Sequence, residues 1–339
     1  MLGDSASEDW IRLEDAPPVP SLRFRHFRGE SDYPHMVAVI EGMREADQLE
    51  LAVSVDDIAR EFQHLENCDP YRDFIFAEVD GKPIGYTRVW WSKDPSGIYL
   101  YNHFVDLDPE WYGKGIRNTM LRYSEQRLME VAHAHPAEVP RFFQSTAQDS
   151  EKDWIEVLSS EGYGVFRYGF RMKRPSLEDI PDLPLSDKIE VRPVKPEHYR
   201  AIVDAWNEAC KDMRGQIPIS DEDFKWFQES PLFKPSLWQI AWHENEVVGT
   251  ILNMINEREN TEYKRKRGYV ELISVKRPYR GKGIAKAMIA RSLKLLKDHG
   301  MTEAALGVDS ENPSGALHLY QKMGFKVEKR VAFYRKKMS

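Results

Sequence analysis

After Gly283, the apolar residues Ile284, Met288, Ile289, Leu293 and Leu296 recur at helical spacing, Lys297 sits in the last turn and Gly300 follows. The pattern predicts a long amphipathic helix with its stop signals in place. Elsewhere, apolar runs interrupted by turn-forming residues predict strand pairs. Phe74–Val79 passes through Asp80-Gly81-Lys82 into Pro83-Ile84-Gly85, and Trp238–His243 passes through Glu244-Asn245-Glu246 into Val247-Val248-Gly249.

In both halves of the chain the strand pair leads to another strand, then to a loop reading Gly-Lys-Gly-Ile (Gly113–Ile116 and Gly281–Ile284), then to an amphipathic helix. Each half closes with a helix ending in Gly plus an aromatic, Gly162-Tyr163 or Gly324-Phe325, and a last strand running into basic residues. This is an internal duplication on the scale of a domain. The second copy is expected to contain a strand at Ile189–Val194, helices near Glu197–Met213 and Asp221–Glu229, and three strands ending at Val275. A helix, a strand, a helix and a last strand complete it. Between the copies, Arg174–Pro184 has neither periodicity and carries Pro175, Pro181 and Pro184, so it reads as a linker. The expected organisation is a polar N-terminal tail over 1–20, a first domain over 21–174, a linker over 175–187 and a second domain over 188–339.

A length of 339 residues exceeds one ordinary core, and an apolar content of 41% suffices for two without metals or disulfides. The acidic tail resembles neither a signal peptide nor a basic transit sequence, and no apolar run is long enough to span a bilayer. Cys68 and Cys210 lie far apart, which points to a reducing cytoplasm. A net charge of −7 argues against nucleic acid as a partner. The basic run Lys264–Arg267 reads as a solvated turn before the next strand, or as a contact for an acidic ligand. His133 and His135 lack further ligands at metal-binding spacing, so no metal is expected.

The strongest chemical signal is Val275–Ala285, where a buried-type strand enters a helix through a glycine-rich turn. The first helical turn leaves N–H groups unpaired and carries partial positive charge, while glycines admit a phosphate close to the backbone. Lys282 and Arg280 are expected to add mobile positive charge. No Gly-Lys-Ser or Gly-Lys-Thr closes the loop, and Lys286 stands where a dinucleotide fingerprint needs its third glycine. Nucleotide hydrolysis and hydride transfer therefore both lose ground.

Arg280-x-x-Gly283-x-Ala285 followed by Asn312-x-x-x-Ala316-x-x-x-Tyr320-x-x-x-Gly324-Phe325 resembles motifs A and B of the GCN5-related N-acetyltransferase (GNAT) superfamily. The duplicated layout is similar to that of mycothiol synthase and other tandem members. The resemblance implies an α/β (α+β) fold: two tandem domains, each a mixed, mostly antiparallel sheet flanked by helices. It also implies acetyl-CoA as cosubstrate, with amides from Gly281 through Lys282, Gly283, Ile284 and Ala285 to Lys286 on the pyrophosphate. The strand Ile273-Ser274-Val275 and Asn312 would hold the pantetheine arm, and a main-chain N–H near Val275 would polarise the acetyl carbonyl.

Direct transfer from a thioester to an amine needs a proton acceptor for the ammonium and a donor for the thiolate. By resemblance Tyr320 takes the donor position, which suits a phenol protonated at neutral pH. Glu271, in the strand ending at Val275, takes the base position; the alternative is a carboxylate pointing to solvent or to the basic run. In the first copy Tyr112 replaces the family's arginine or glutamine and Arg117 its small residue. Counted back from Gly162-Tyr163, Leu158 stands for Tyr320, Trp154 for Ala316 and Ser150 for Asn312. That copy is expected to be catalytically silent. The acceptor is expected to be a small-molecule primary amine, with a protein or peptide N-acetyltransferase and a non-catalytic acyl-CoA-binding sensor or scaffold as alternatives. Trp206, Trp226, Phe227 and Phe233 line a substrate pocket or fill a core, and the oligomeric state leaves no mark in the sequence.

Overall fold

The structure, a computed structural model, describes residues 10–211, 217–312 and 315–338. Met213, Pro313 and Ser314, which figure in the expected helix and motif, lie outside these residues, as do the first nine. Among the described residues no helix is long and apolar enough to cross a membrane. The chain divides into two compact units, one reaching to Phe166 and resuming at Ala332, the other Arg167–Val331.

Chain order in the first half is β1 (Trp10–Ile11), β2 (Arg23–His26), α1 (Tyr33–Ala46), α2 (Val55–Gln63), α3 (Pro70–Asp73), β3 (Phe74–Val79), β4 (Lys82–Lys93), β5 (Tyr99–Leu107), α4 (Ile116–Ala132), β6 (Arg141–Gln148), α5 (Lys152–Ser160) and β7 (Gly164–Arg174). The second half continues with β8 (Glu190–Val191), α6 (Tyr199–Cys210), α7 (Asp221–Glu229), β9 (Gln239–His243), β10 (Glu246–Ile255), α8 (Glu257–Glu262), β11 (Arg267–Val275), α9 (Ile284–Asp298), β12 (Glu303–Asp309), α10 (Ala316–Lys322) and β13 (Lys326–Lys337).

In the first unit β1 to β5 pair antiparallel in sequence order, and β6 joins β5 in parallel. The second unit repeats this mixed, mostly antiparallel plan: β8, β9, β10 and β11 are antiparallel neighbours and β12 runs parallel to β11. Gly169–Arg174, the end of the first copy by sequence, pairs antiparallel with Ala304–Asp309 and so covers the β12 edge.

The helix read from Ile284 onward forms as α9. Ile284, Met288, Ile289, Leu293 and Leu296 are all buried in the second unit's core with Val248, Ile251 and Val270, and each such side chain contributes roughly 1.5–3 kcal/mol of transfer free energy. The proline-rich stretch has no regular structure, yet it is no free tether. Leu177 is buried in the same core, with Ile180, Leu183 and Leu185 against it, and Arg174 donates to the carbonyls of Ser176, Met323 and Asp179.

Three expectations change. The strand expected over Ile189–Val194 shrinks to β8. The described part of the polar tail is folded: β1 pairs with β2, and the Asp15 carbonyl accepts from Thr119 Oγ1 at 2.9 Å. The basic run is not a solvated turn throughout, because Arg265 pairs with Glu259 and Arg267, only 5% exposed, pairs with Glu303 at 2.7 Å. These are intramolecular charge partners for residues whose burial would otherwise be costly.

Candidate active site

The site begins with a defect in the β10–β11 ladder. Gly249 pairs with Val275 and Thr250 with Ser274, but the next pair is Leu252 with Glu271, so Leu272 and Ile273 together oppose Ile251. Such a bulge bends a strand and frees backbone groups from the ladder. Leu272 is held at φ 48°, a left-handed conformation that costs an L-residue about 1–2 kcal/mol. The side chain of Thr250, fully buried, fixes it by donating to the Leu272 carbonyl at 2.8 Å and meeting Ser274 Oγ at 2.8 Å. On its other edge β11 pairs with β12 only at Arg267–Tyr269 with Glu303–Ala305, and beyond that point the ladder stops.

A cavity of about 480 Å³ is lined by Ile273, Ser274 and Val275 of β11, by the loop leading to α9, by Asn312, and by Ala316 and Tyr320 of α10. Every residue the sequence assigns to the coenzyme lines it except Lys282, whose ammonium lies 5.3 Å over the Tyr279 ring. Gly281 and Gly283 adopt φ 76° and 81°, and a Cβ added at either would meet nothing within 4 Å. The turn therefore needs glycine for its backbone angles and leaves open space beside it. No side chain caps the N-terminus of α9, so its first-turn amides keep the free N–H groups and positive end that suit a phosphate. Arg280 differs from the mobile cation expected: Nε donates to the Val275 carbonyl at 2.9 Å and Nη2 to the Ala209 carbonyl at 2.8 Å. It ties the loop to the end of β11 and to α6.

Tyr320 is 5% exposed, and its phenol is held above the usual range by burial and, second to that, by the nearby Glu271 charge. Glu271 is partly buried; desolvation pushes its carboxyl up to about 7, opposed by the Arg171 charge and by a hydrogen bond from the Gly307 backbone N–H. A carboxylate in this range is poised to exchange a proton near neutral pH. Cys210, also lining the cavity, has its thiol pushed up to about 12 by burial and so stays protonated. Ala209, Cys210, Tyr279 and Leu319 carried no sequence signal that marked them as lining residues.

Beyond the bulge lies a second cavity of about 380 Å³, lined by Glu271 and Leu272 together with residues of α6, α7 and β10. Trp206, Trp226 and Phe227 line it, whereas Phe233 packs in an aromatic cluster with Tyr199, Phe224, Phe227 and Trp238. Among the described residues no group of three or more His, Cys, Asp or Glu is placed to hold a metal. His135 instead hydrogen-bonds Tyr101 at 2.8 Å.

The first unit has the same ladder without the defect. Gly85 pairs with Leu107 as Gly249 does with Val275, but the β4–β5 register runs unbroken to Lys93 and Tyr99. Where Glu271 stands, four residues before the strand end, is His103, buried, bonded to Tyr163 at 2.7 Å and pushed down to about 3 by desolvation. Trp154 and Leu158, in place of Ala316 and Tyr320, are 2% and 0% exposed and fill the space. Pro17 lies 3.6 Å from the position of a Gly115 Cβ.

The sequence profile of the acetyltransferase (GNAT) family matches residues 40–139 and 200–325. An N-alpha-acetyltransferase MAK3 of Arabidopsis thaliana is 36% identical over 100 residues, which is 30% of this chain and 50% of that protein. The match thus spans half the length of that relative. A mycothiol acetyltransferase of Streptomyces bingchenggensis is 24% identical over 282 residues, covering 76% of this chain and 84% of its own length. Among solved structures, a GCN5-related N-acetyltransferase from Sphaerobacter thermophilus superposes with a TM-score of 0.71 at 24% identity, covering 94% of this chain and 96% of that one. A tandem GNAT protein from the clavulanic acid biosynthesis pathway gives 0.64 at 12%, over 93% and 98%.

Proposed function

The chain belongs to the acetyltransferase (GNAT) family, and from that premise we propose that its second unit transfers acetyl from acetyl-CoA to the primary amine of a small molecule. One observation carries the reading: the cavity lined by the glycine loop is also lined by Tyr320, whose phenol feels the charge of Glu271, the residue beside the β11 bulge. Acetyl-CoA supplies the activated acetyl group as a thioester. The first-turn amides of α9 hold its diphosphate, and the unpaired edge of Ile273–Val275 and Asn312 hold the pantetheine arm.

Glu271 accepts the ammonium proton of the acceptor, directly or through water, leaving the nitrogen lone pair free to attack the carbonyl carbon. A main-chain N–H beside Val275 stabilises the charge that develops on the acetyl oxygen. As the C–N bond forms and the C–S bond breaks, Tyr320 gives its proton to the departing sulfur and is reprotonated by the second proton shed from the nitrogen, while Glu271 passes the first to solvent. The first unit is catalytically silent. Free thiols, distant in sequence, suit a protein working in the cytoplasm.

The small-molecule acceptor is supported by the mycothiol acetyltransferase relatives, which align along most of this chain. The Arabidopsis N-alpha-acetyltransferase match favours a second reading, in which the amine is a peptide N-terminus. The deciding experiment follows free thiol release from acetyl-CoA by the full chain against cysteinyl sugars, polyamines, aminoglycosides and peptides, with calorimetry of coenzyme A binding alongside. Absence of coenzyme binding would sink the proposal.

A further inference from the structure

Resting on the transferase reading above, we propose that the cavity beside Glu271 selects an acceptor whose primary ammonium lies a few atoms from an aromatic ring. The amine comes either from a free arylalkylamine or from the first residue of a peptide. The observations are the lining and its charge. Trp206, Phe224, Trp226 and Phe227 give the wall its aromatic faces beside aliphatic residues of α6, β10 and the bulge, and Glu271 and Asp223 are the ionisable groups on it; no cationic residue is among the described lining residues.

A volume of about 380 Å³ falls within the usual size of small-ligand pockets, roughly 300–1,000 Å³. Trp226 lines the cavity and keeps 41% of its surface exposed, so its ring is open to an entering ligand. A sugar amine placed here would bury hydroxyls against rings that offer them almost no partners, and that desolvation opposes binding. A flat ring with a cationic end meets both the aromatic wall and the carboxylates.

Position links this selection to the chemistry. Glu271 and Leu272 line this cavity while Ile273, Ser274 and Val275 line the coenzyme cavity. The bulge is therefore the partition between the two, and an ammonium drawn to Glu271 stands next to the thioester.

The test uses the full chain with acetyl-CoA and compares kcat/KM for 2-phenylethylamine and tryptamine, for glucosamine and spermidine, and for tetrapeptides differing only in Phe or Ser as first residue. Aromatic acceptors are expected to exceed polar ones by about 10- to 200-fold, the range apolar pockets achieve. The free-amine and Phe-peptide arms then identify the source. Trp226→Ala is expected to raise KM for the preferred acceptor at least about fivefold, leaving coenzyme A affinity within about twofold. Equal or better turnover of glucosamine or spermidine, an unchanged KM in the variant, or coenzyme binding with no acceptor turned over overturns the inference and leaves the coenzyme site standing. Failure to bind coenzyme A overturns the transferase reading as well.

Discussion

The backbone N–H of Gly113 donates to the Asp153 carboxylate at 2.8 Å, so the first unit's glycine loop already holds an anion of its own. Arg117 donates to the other oxygen of the same carboxylate at 2.9 Å. Counted back from the Gly-aromatic ends, the second unit has Gly315, which carries no carboxylate, where Asp153 stands. Calorimetry with the full chain is therefore expected to give one coenzyme A per chain, and Gly283→Val, which forces a branched residue to φ 81° in the phosphate path, to abolish that binding. Two equivalents per chain would contradict the division of roles.

Tyr320→Phe keeps the ring against Phe325, centroids 6.3 Å apart, and removes only the hydroxyl. Loss of the proton donor is expected to lower kcat by about 10²-fold or more, with the dissociation constant for coenzyme A within about twofold. Thiol-release kinetics and calorimetry measure the two effects separately. Full activity in the variant would exclude the donor role.

Glu271 accepts a proton only when ionised, and its carboxyl is raised from an ordinary 4.5 to about 7. The rate should therefore climb with pH through about 7 and then level, and Glu271→Gln should lower it and flatten that limb. The same shift fixes the sign of a stability effect. A carboxyl raised in the fold costs nothing below its unfolded value, and the fold loses stability as pH rises toward 7 and the group ionises. The melting-temperature advantage of Glu271→Gln over the native chain should grow from pH 4 to pH 8, where an unburied carboxylate would leave it flat.

The periodicity of Ile284 to Leu296, the two Gly-Lys-Gly-Ile loops and the Asn312 to Phe325 spacing made the repeat, α9 and the residues that line the larger cavity beside it legible, because helix faces and glycine turns are local features. The Leu272 bulge left no trace, since Glu271-Leu272-Ile273-Ser274 reads as an ordinary strand and the break exists only relative to β10. Pairing of Gly169–Arg174 with β12 was hidden for the same reason: strand partners are chosen by tertiary packing. Arg280 looked like a free cation because its acceptors, the Val275 and Ala209 carbonyls, are backbone groups that any sequence would supply. The aromatic residues of α6 and α7 were visible, but whether they line a cavity or fill a core depends on which face each helix presents.

Thr250 gives access to the bulge without touching substrate. Its hydroxyl bonds both Leu272 O and Ser274 Oγ, so Thr250→Val, close in shape, removes one buried and one partly buried hydrogen bond and leaves the Leu272 carbonyl short of a partner. Each such bond is worth about 0.5–1.5 kcal/mol net, and a loss of about 1–3 kcal/mol is expected in urea denaturation. With the left-handed Leu272 no longer held, the strand gains freedom to return to regular pairing, which would turn Glu271 away from the cavity because a one-residue slip reverses the faces. The kinetic signature is a fall in kcat well beyond the change in coenzyme affinity, since α9 and its loop are untouched. A variant that loses stability yet keeps kcat would show that the bulge is held by other contacts and that Thr250 serves packing alone.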